Sequence, residues 1–330
     1  LTIAANGTLS APRGNLDLSA DLSVTGTFSH NNGKVRAMDT QTVQIQKDGN
    51  STPLTFYNLE ANTGWNSLRG VGGITVLNLL SATTRYNVIR PLDGNVSLTL
   101  GTDSDAGGLT GNAIQFTSNG TNYAEIKAAS SLKPWTAETA PDFDSGGSSS
   151  KVRIADCDMD PDITTGGGGV TITLTGDCEF DAVTVSSGDI LDLNGQRAEF
   201  SGLLTATGDV DFDGSLVVLP DLAAGGSENI DNETTADLIF TGGADDTATN
   251  MRGTYKTVFI NNGSNDYLTT NSTSDWSNCA TTLICGSKLT TANLMKCTNL
   301  TIPTGGTLDA QDDTITVSGD FTTSGGLVNV

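Results

Sequence analysis

The chain has 330 residues and a formal net charge of −22; 36% of its residues are apolar, only 5% are aromatic, and it contains 39 glycines. That acidity argues against nucleic acid, whose phosphates demand lysine and arginine, and against an anionic membrane surface, while apolar runs such as "VGGITVLNLLSA" (71–82) are too short to span a bilayer. Length alone would allow two globular domains, but internal repetition overrides that count.

Residues 1–80 read as a β-solenoid segment. "LTI" (1–3), "LSV" (22–24) and "VQI" (43–45) recur every 21 residues. Between these beats lie short alternating runs closed by Gly, Asn or Asp, the pattern of short strands and tight turns. Three such strands make one coil. Neighbouring strands lie about 4.8 Å apart and alternate side chains face opposite ways, so Leu1, Leu22 and Val43 are expected to stack in one column. A single coil cannot bury its own inner face, whereas a stack can.

Residues 81–150 are expected to form an irregular β insertion and linker. "YNVIRPL", "NVSLTLG" and "AIQFTS" alternate without the 21-residue step. "NYAEIKAASSLK" (122–133) is the best helix candidate, although Ala124, Ile126 and Ala128 alternate as in a strand, and "KPWTAETAPDFDSGGSSS" (133–150) has a linker's composition. The beat returns over 151–220, where "ADCDMDP", "GDCEFDA" and "RAEFSG" follow one another by 21 and then 20 residues. Residues 221–297 read as a decorated irregular β segment. Over 298–330 a further repeat starts: 300–330 aligns with 1–31 without a gap, and 183–213 lies on the same frame. The predicted fold is therefore all-β, a parallel β-solenoid with about 21 residues per coil, interrupted by β-rich insertions.

Several side-chain groups invite a chemical reading. Cys157 and Cys178 take the same place in adjacent coils, close enough for a disulfide or, equally, for a buried reduced stack. Cys279, Cys285 and Cys297 form a later cluster whose spacing, with no histidine nearby, does not suit zinc. Asp158, Glu179 and Glu199 line up on the outer face, with Asp160 beside Asp181. Such a ladder either splays into water or holds a cation, and Ca²⁺ prefers oxygen ligands of this kind; no other cofactor is implied. His30 is the only histidine and sits before "NNG", a turn position, so any Ser-His or Cys-His machinery would have to pass through a turn. Asp209 and Asp211 are a carboxylate pair of the sort glycosidases use, but nothing in their context singles them out. Trp65, Trp135 and Trp276 fall in the less periodic segments, where a ring could stack on sugar or close off a coil's open core. Asn-x-Ser/Thr sequons at Asn6, Asn50, Asn95, Asn119, Asn232, Asn262, Asn271 and Asn299 permit glycosylation.

The run "LTI..NGTLSA…LDLSADLSVTGTFSHNNGKV" resembles the coils of bacterial surface β-helix proteins of the filamentous-haemagglutinin and adhesin kind. "VTVSSGDILDLNGQRAEF" and "LTIPTGGTLDAQDD…VSGDFTTSGG" are similar to β-repeats of structural proteins from environmental bacteriophages. The resemblance implies an extracellular role at a cell or virion surface, and it carries no motif of functional residues onto this chain. Leu1 opens on a strand and Val330 closes on one, so the repeat begun at 298 is expected to be completed by a chain continuation or by a neighbouring copy. Leu1, Thr2, Ile3, Leu327, Val328 and Val330 would form that junction. The leading expectation is a non-enzymatic subunit of an extracellular filament, a homopolymer that does not bind nucleic acid or insert into membranes. A phage tail fibre or tailspike binding a cell-surface glycan is the alternative, and a polysaccharide-degrading β-helix enzyme is a third.

Overall fold

A computed structural model describes residues 1–38, 43–47, 52–62, 66–70, 73–83, 87–89, 94–111, 114–116, 121–143, 149–220, 222–224, 230–231, 233–241, 247–248, 254–261, 267–270, 276–291, 294–311 and 314–329. The chain divides into two compact units, Leu1–Cys178 and Glu179–Val330. Each is a parallel β-solenoid. Among the described residues the only helical element is one 3₁₀ turn, Glu233–Thr235, and no helix is long and apolar enough to cross a membrane.

The winding follows from two-residue periodicity. In the first unit Val96–Leu100 and Ala124–Ala128 alternate buried and half-buried side chains along their whole length. Their buried members stack on equivalents above and below: Leu54, Ile74, Leu98, Ile126, Ile154 and Leu174 form one continuous inner column, all buried. Each such aliphatic side chain contributes about 1.5–3 kcal/mol when removed from water, and it can do so only because the coils on either side cover it. In the second unit the corresponding column is Val217, Leu238, Val258, Leu283, Leu300 and Phe321.

Corners are turned by residues that accept a positive φ. Asn31, Asn32, Asp156, Asn194 and Gln311 do so without being glycine, as short polar side chains permit at a single turn position. Where two of the three strands run on into each other they form long bent strands, such as Ile74–Ala82 and Met295–Ile302. In Ile74–Ala82 the pairing register slips between Val76 and Leu79.

Three expectations about the winding are revised. First, Leu22 pairs with Ile45 and not with Val43. A shift of two residues keeps inward side chains inward, so the apolar alternation alone could not distinguish the two registers. Second, 81–150 adds strands to the stack: Val96–Leu100, Ala124–Ala128 and Lys151–Ala155 pair in order, with partners such as Ser97 and Glu125 28 residues apart. The extra residues are absorbed at the corners, which hides the 21-residue step. Ala124–Ala128, the helix candidate, is a strand because its alternate alanines and Ile126 face the column. Third, the linker-like run is partly core. Trp135–Ala137 is a strand, Asp142 bridges to Gln115 and the buried Phe143 stacks on Phe116 at 5.7 Å. In 221–297, Asp237–Phe240, Tyr255–Ile260 and Trp276–Cys285 likewise pair as successive rungs.

Candidate functional site

The most distinctive surface is the final coil of the second unit. Ile315–Val317, Phe321–Thr323 and Leu327–Asn329 each pair with one strand beneath: with 295–297, 300–302 and 307–309 respectively. Phe321 heads the inner column yet is 53% exposed, whereas Leu300 below it is buried. Leu327 is 56% exposed for a different reason: it faces outward, and Val328 takes the inward place over Leu308. At the first coil of the other unit Leu1 is half exposed, Thr2 is exposed and Ile3 is buried, and among the described residues Thr2–Ile3 pairs only with Ser23 and Val24. Val330 lies outside the described residues.

Of the outer carboxylates, Glu179, Glu199 and Asp181 are held by protein groups. In the second unit Arg197 reaches Glu179 at 3.6 Å and also pairs with Glu199, while Ser201 Oγ donates to Asp181 Oδ1 at 2.9 Å. Asp158 and Asp160 belong to the first unit. Arg197 thus supplies a positive charge to two of these residues, and no group of three or more His, Cys, Asp or Glu side chains is placed to share a metal ion among the described residues. Arg197 starts its own strand two residues before Glu199, a spacing that puts both on one face.

Other acidic residues close turns. Ile190–Asp192, Asp209–Asp211 and Thr307–Asp309 each end in an aspartate whose Oδ1 accepts the N–H two residues on, from Asn194, Asp213 and Gln311 at 2.9, 3.1 and 3.4 Å. This is the Asx-turn that favours aspartate at strand ends. Asp211, half of the carboxylate pair, therefore has a structural duty. His30 does the same with its imidazole: Nδ1 accepts the Asn32 N–H at 3.0 Å, and the ring lies against Tyr57 with centroids 6.1 Å apart.

Cysteines in both units are free and buried. Cys157 and Cys178 are neighbours as thiols and not as a disulfide. Burial first, then the hydrogen bond to Cys178, pushes the Cys157 thiol well above its ordinary pKa. Burial likewise raises Cys285 to about 12 and Cys297 to about 11, with Cys297's proximity adding to the shift at Cys285. Such thiols are poor nucleophiles and poor metal ligands near neutral pH. Trp135 is wholly buried within a ladder, its Nε1–H donating to the Ala155 carbonyl at 3.0 Å, so it neither stacks on sugar nor closes a coil end. Trp65 lies outside the described residues, and Trp276 begins the strand Trp276–Cys285. Of the sequons, Asn6 is exposed, Asn95 Oδ1 accepts the Tyr123 N–H and Asn299 Oδ1 accepts the Asp320 N–H. Asn50, Asn119, Asn232, Asn262 and Asn271 lie outside the described residues.

No protein-family model matches the chain, and neither a curated protein nor a solved structure is detectably similar to it.

Proposed function

We propose that the chain is a non-enzymatic structural segment of an extracellular filament, extended by stacking one solenoid coil on another. The observation that supports this reading is the open end of the second unit's inner column. Phe321 is exposed although every residue beneath it in the column is buried, and the three strands around it offer unpaired backbone edges, a template for adding another strand. The covering coil is either a further part of the same polypeptide or a second copy. In the second case the contact is heterologous, and such contacts grow into open fibres when they do not close on themselves. The acidic surface keeps fibres from associating sideways.

Sedimentation and negative-stain microscopy of the purified chain test the proposal. Concentration-dependent, single-file assemblies are expected, and Phe321→Asp should shift the material toward monomer. A chain that stays monomeric at high concentration, or one whose assembly ignores Phe321→Asp, overturns the homopolymer and leaves the last coil to be covered by its own polypeptide.

A further inference from the structure

The first unit carries a polar groove of about 680 Å³ beside the His30 turn, lined by Arg13, Ser29, His30, Asn31 and Asn32. We propose that this groove binds a carboxylate-bearing saccharide, a hexuronate unit of an acidic glycan. Its volume is in the range of small-ligand sites and suits one or two sugar rings.

The lining is organised before any ligand arrives. The Asn31 carboxamide donates to Ser10 Oγ at 2.7 Å and to the Ala11 carbonyl at 2.8 Å, and its Oδ1 accepts from Ser29 Oγ at 3.2 Å. The His30 ring is set by the Asn32 N–H on one side and by Tyr57 on its face. With Nδ1 accepting, the neutral ring carries its proton on Nε2, a free donor. Asn31 and Asn32 are consecutive left-handed residues, with φ of 47° and 58°. The comparable turn at Asn194 is completed by a glycine, Gly195, with φ of 73°. Paired strain at a concave polar surface is the sort of cost that functional sites retain.

Charge decides the class of ligand. The chain holds 38 acidic residues for 16 lysines and arginines, and nearby Lys34 and Arg36 are taken by Glu60 and Asp17. Arg13 has no ion-pair partner among the described residues. A guanidinium left open in so acidic a chain matches a carboxylate in two-pronged fashion, while the Asn32 carboxamide and His30 Nε2–H suit ring hydroxyls. The overall negative charge does not outweigh this pairing, because charges more than about 8 Å away are screened at physiological ionic strength. The groove is built from residues of the first unit alone and does not depend on the exposed Phe321.

The test is an NMR and calorimetric titration with three probes: a glucuronate-containing disaccharide, the neutral glucose disaccharide, and acetate. The uronate is expected to bind with a Kd on the order of 1 mM or tighter and to shift resonances of Arg13 and residues 30–32. Affinity should fall at least about tenfold for the neutral sugar and for Arg13→Gln, since a hydrogen bond to a charged group is worth about that factor, and about threefold or more for acetate and for Asn32→Gly, which lose neutral contacts to the ring hydroxyls. Asn32→Gly keeps the left-handed turn, so its loss of binding is not a loss of fold. The proposal fails if the uronate leaves these resonances unmoved, if acetate binds equally well, or if both variants bind as the parent does.

Discussion

Residues 1–31 and 300–330 have nearly the same sequence pattern and the same order of strand pairing, but among the described residues only the first copy is covered by a further coil. In the first unit Leu1–Ile3 lies under Leu22–Val24, and Leu22 in turn lies under Ile45 and is fully buried. In the second unit Leu300–Ile302 lies under Phe321–Thr323, and Phe321 stays exposed. A repeat therefore encodes which strands pair, while burial is supplied by the next coil. The copies also differ by one turn residue. Thr8 pairs with Thr27, but Thr307 pairs with Leu327, because Ser324, Gly325 and Gly326 fill a corner that Thr25 and Gly26 turn in the first copy. One added residue reverses which side of the strand faces in. Phe28 accordingly corresponds to Val328, and Ser29 to Asn329.

The sharpest way to break this comparison is to truncate the matched pair. Leu22→Ala should cost about 3 kcal/mol, the usual penalty for a cavity in a packed column. Phe321→Ala should cost under about 0.5 kcal/mol in the unassembled chain, as at other exposed sites. Urea unfolding of both variants measures the difference, and equal losses would mean that the last coil is as well covered as the first.

The outcome bears on what the sequence could reveal. Alternation and the 21-residue beat suffice for the solenoid, because both are backbone periodicities. They fail at Val43, where a two-residue slip is silent, and over 81–150, where corner length masks the step. The beat places the outer carboxylates on one face, but it says nothing of their partner Arg197, which sits on the same strand as Glu199 and blends into the repeat. The groove beside His30 is invisible in the sequence, since Arg13 and Asn31 come from different coils and meet only when the coils stack.

Deleting Gly326 sharpens the second half of the comparison. With a two-residue corner, as in the first copy, Leu327 should remain opposite Thr307 and Val328 over Leu308, with a stability change under about 1 kcal/mol. The nuclear Overhauser effect between Val328 and Leu308 should persist. If Leu327 or Asn329 takes the place of Val328, the extra residue is not absorbed in the corner.

The smallest effect separates the copies by pH. A side-chain hydrogen bond from Arg36 holds the Asp17 carboxyl below its usual 3.8, through paired bonds at 2.7 Å, and Thr316 stands in its place in the second copy. A lowered folded pKa means that the stabilisation is complete above the unfolded value and is lost as pH falls through the folded one. Because the pair is exposed, the effect is slight and salt-sensitive. Asp17→Asn should flatten this part of the acid limb in hydrogen exchange of the first coils while leaving 300–330 unchanged; an identical acid response in the parent and the variant would remove the pair from the account.

The uneven coils have a practical side. Leu54 and Ile74, 20 residues apart, share a ladder with Leu98 and Ile126, 28 residues apart, so the walls are indifferent to how much chain bulges at a bend. Foreign peptides spliced into the bend between Leu100 and Gly108 would be displayed at a fixed height along the unit, which makes the molecule a graduated ruler for presenting epitopes.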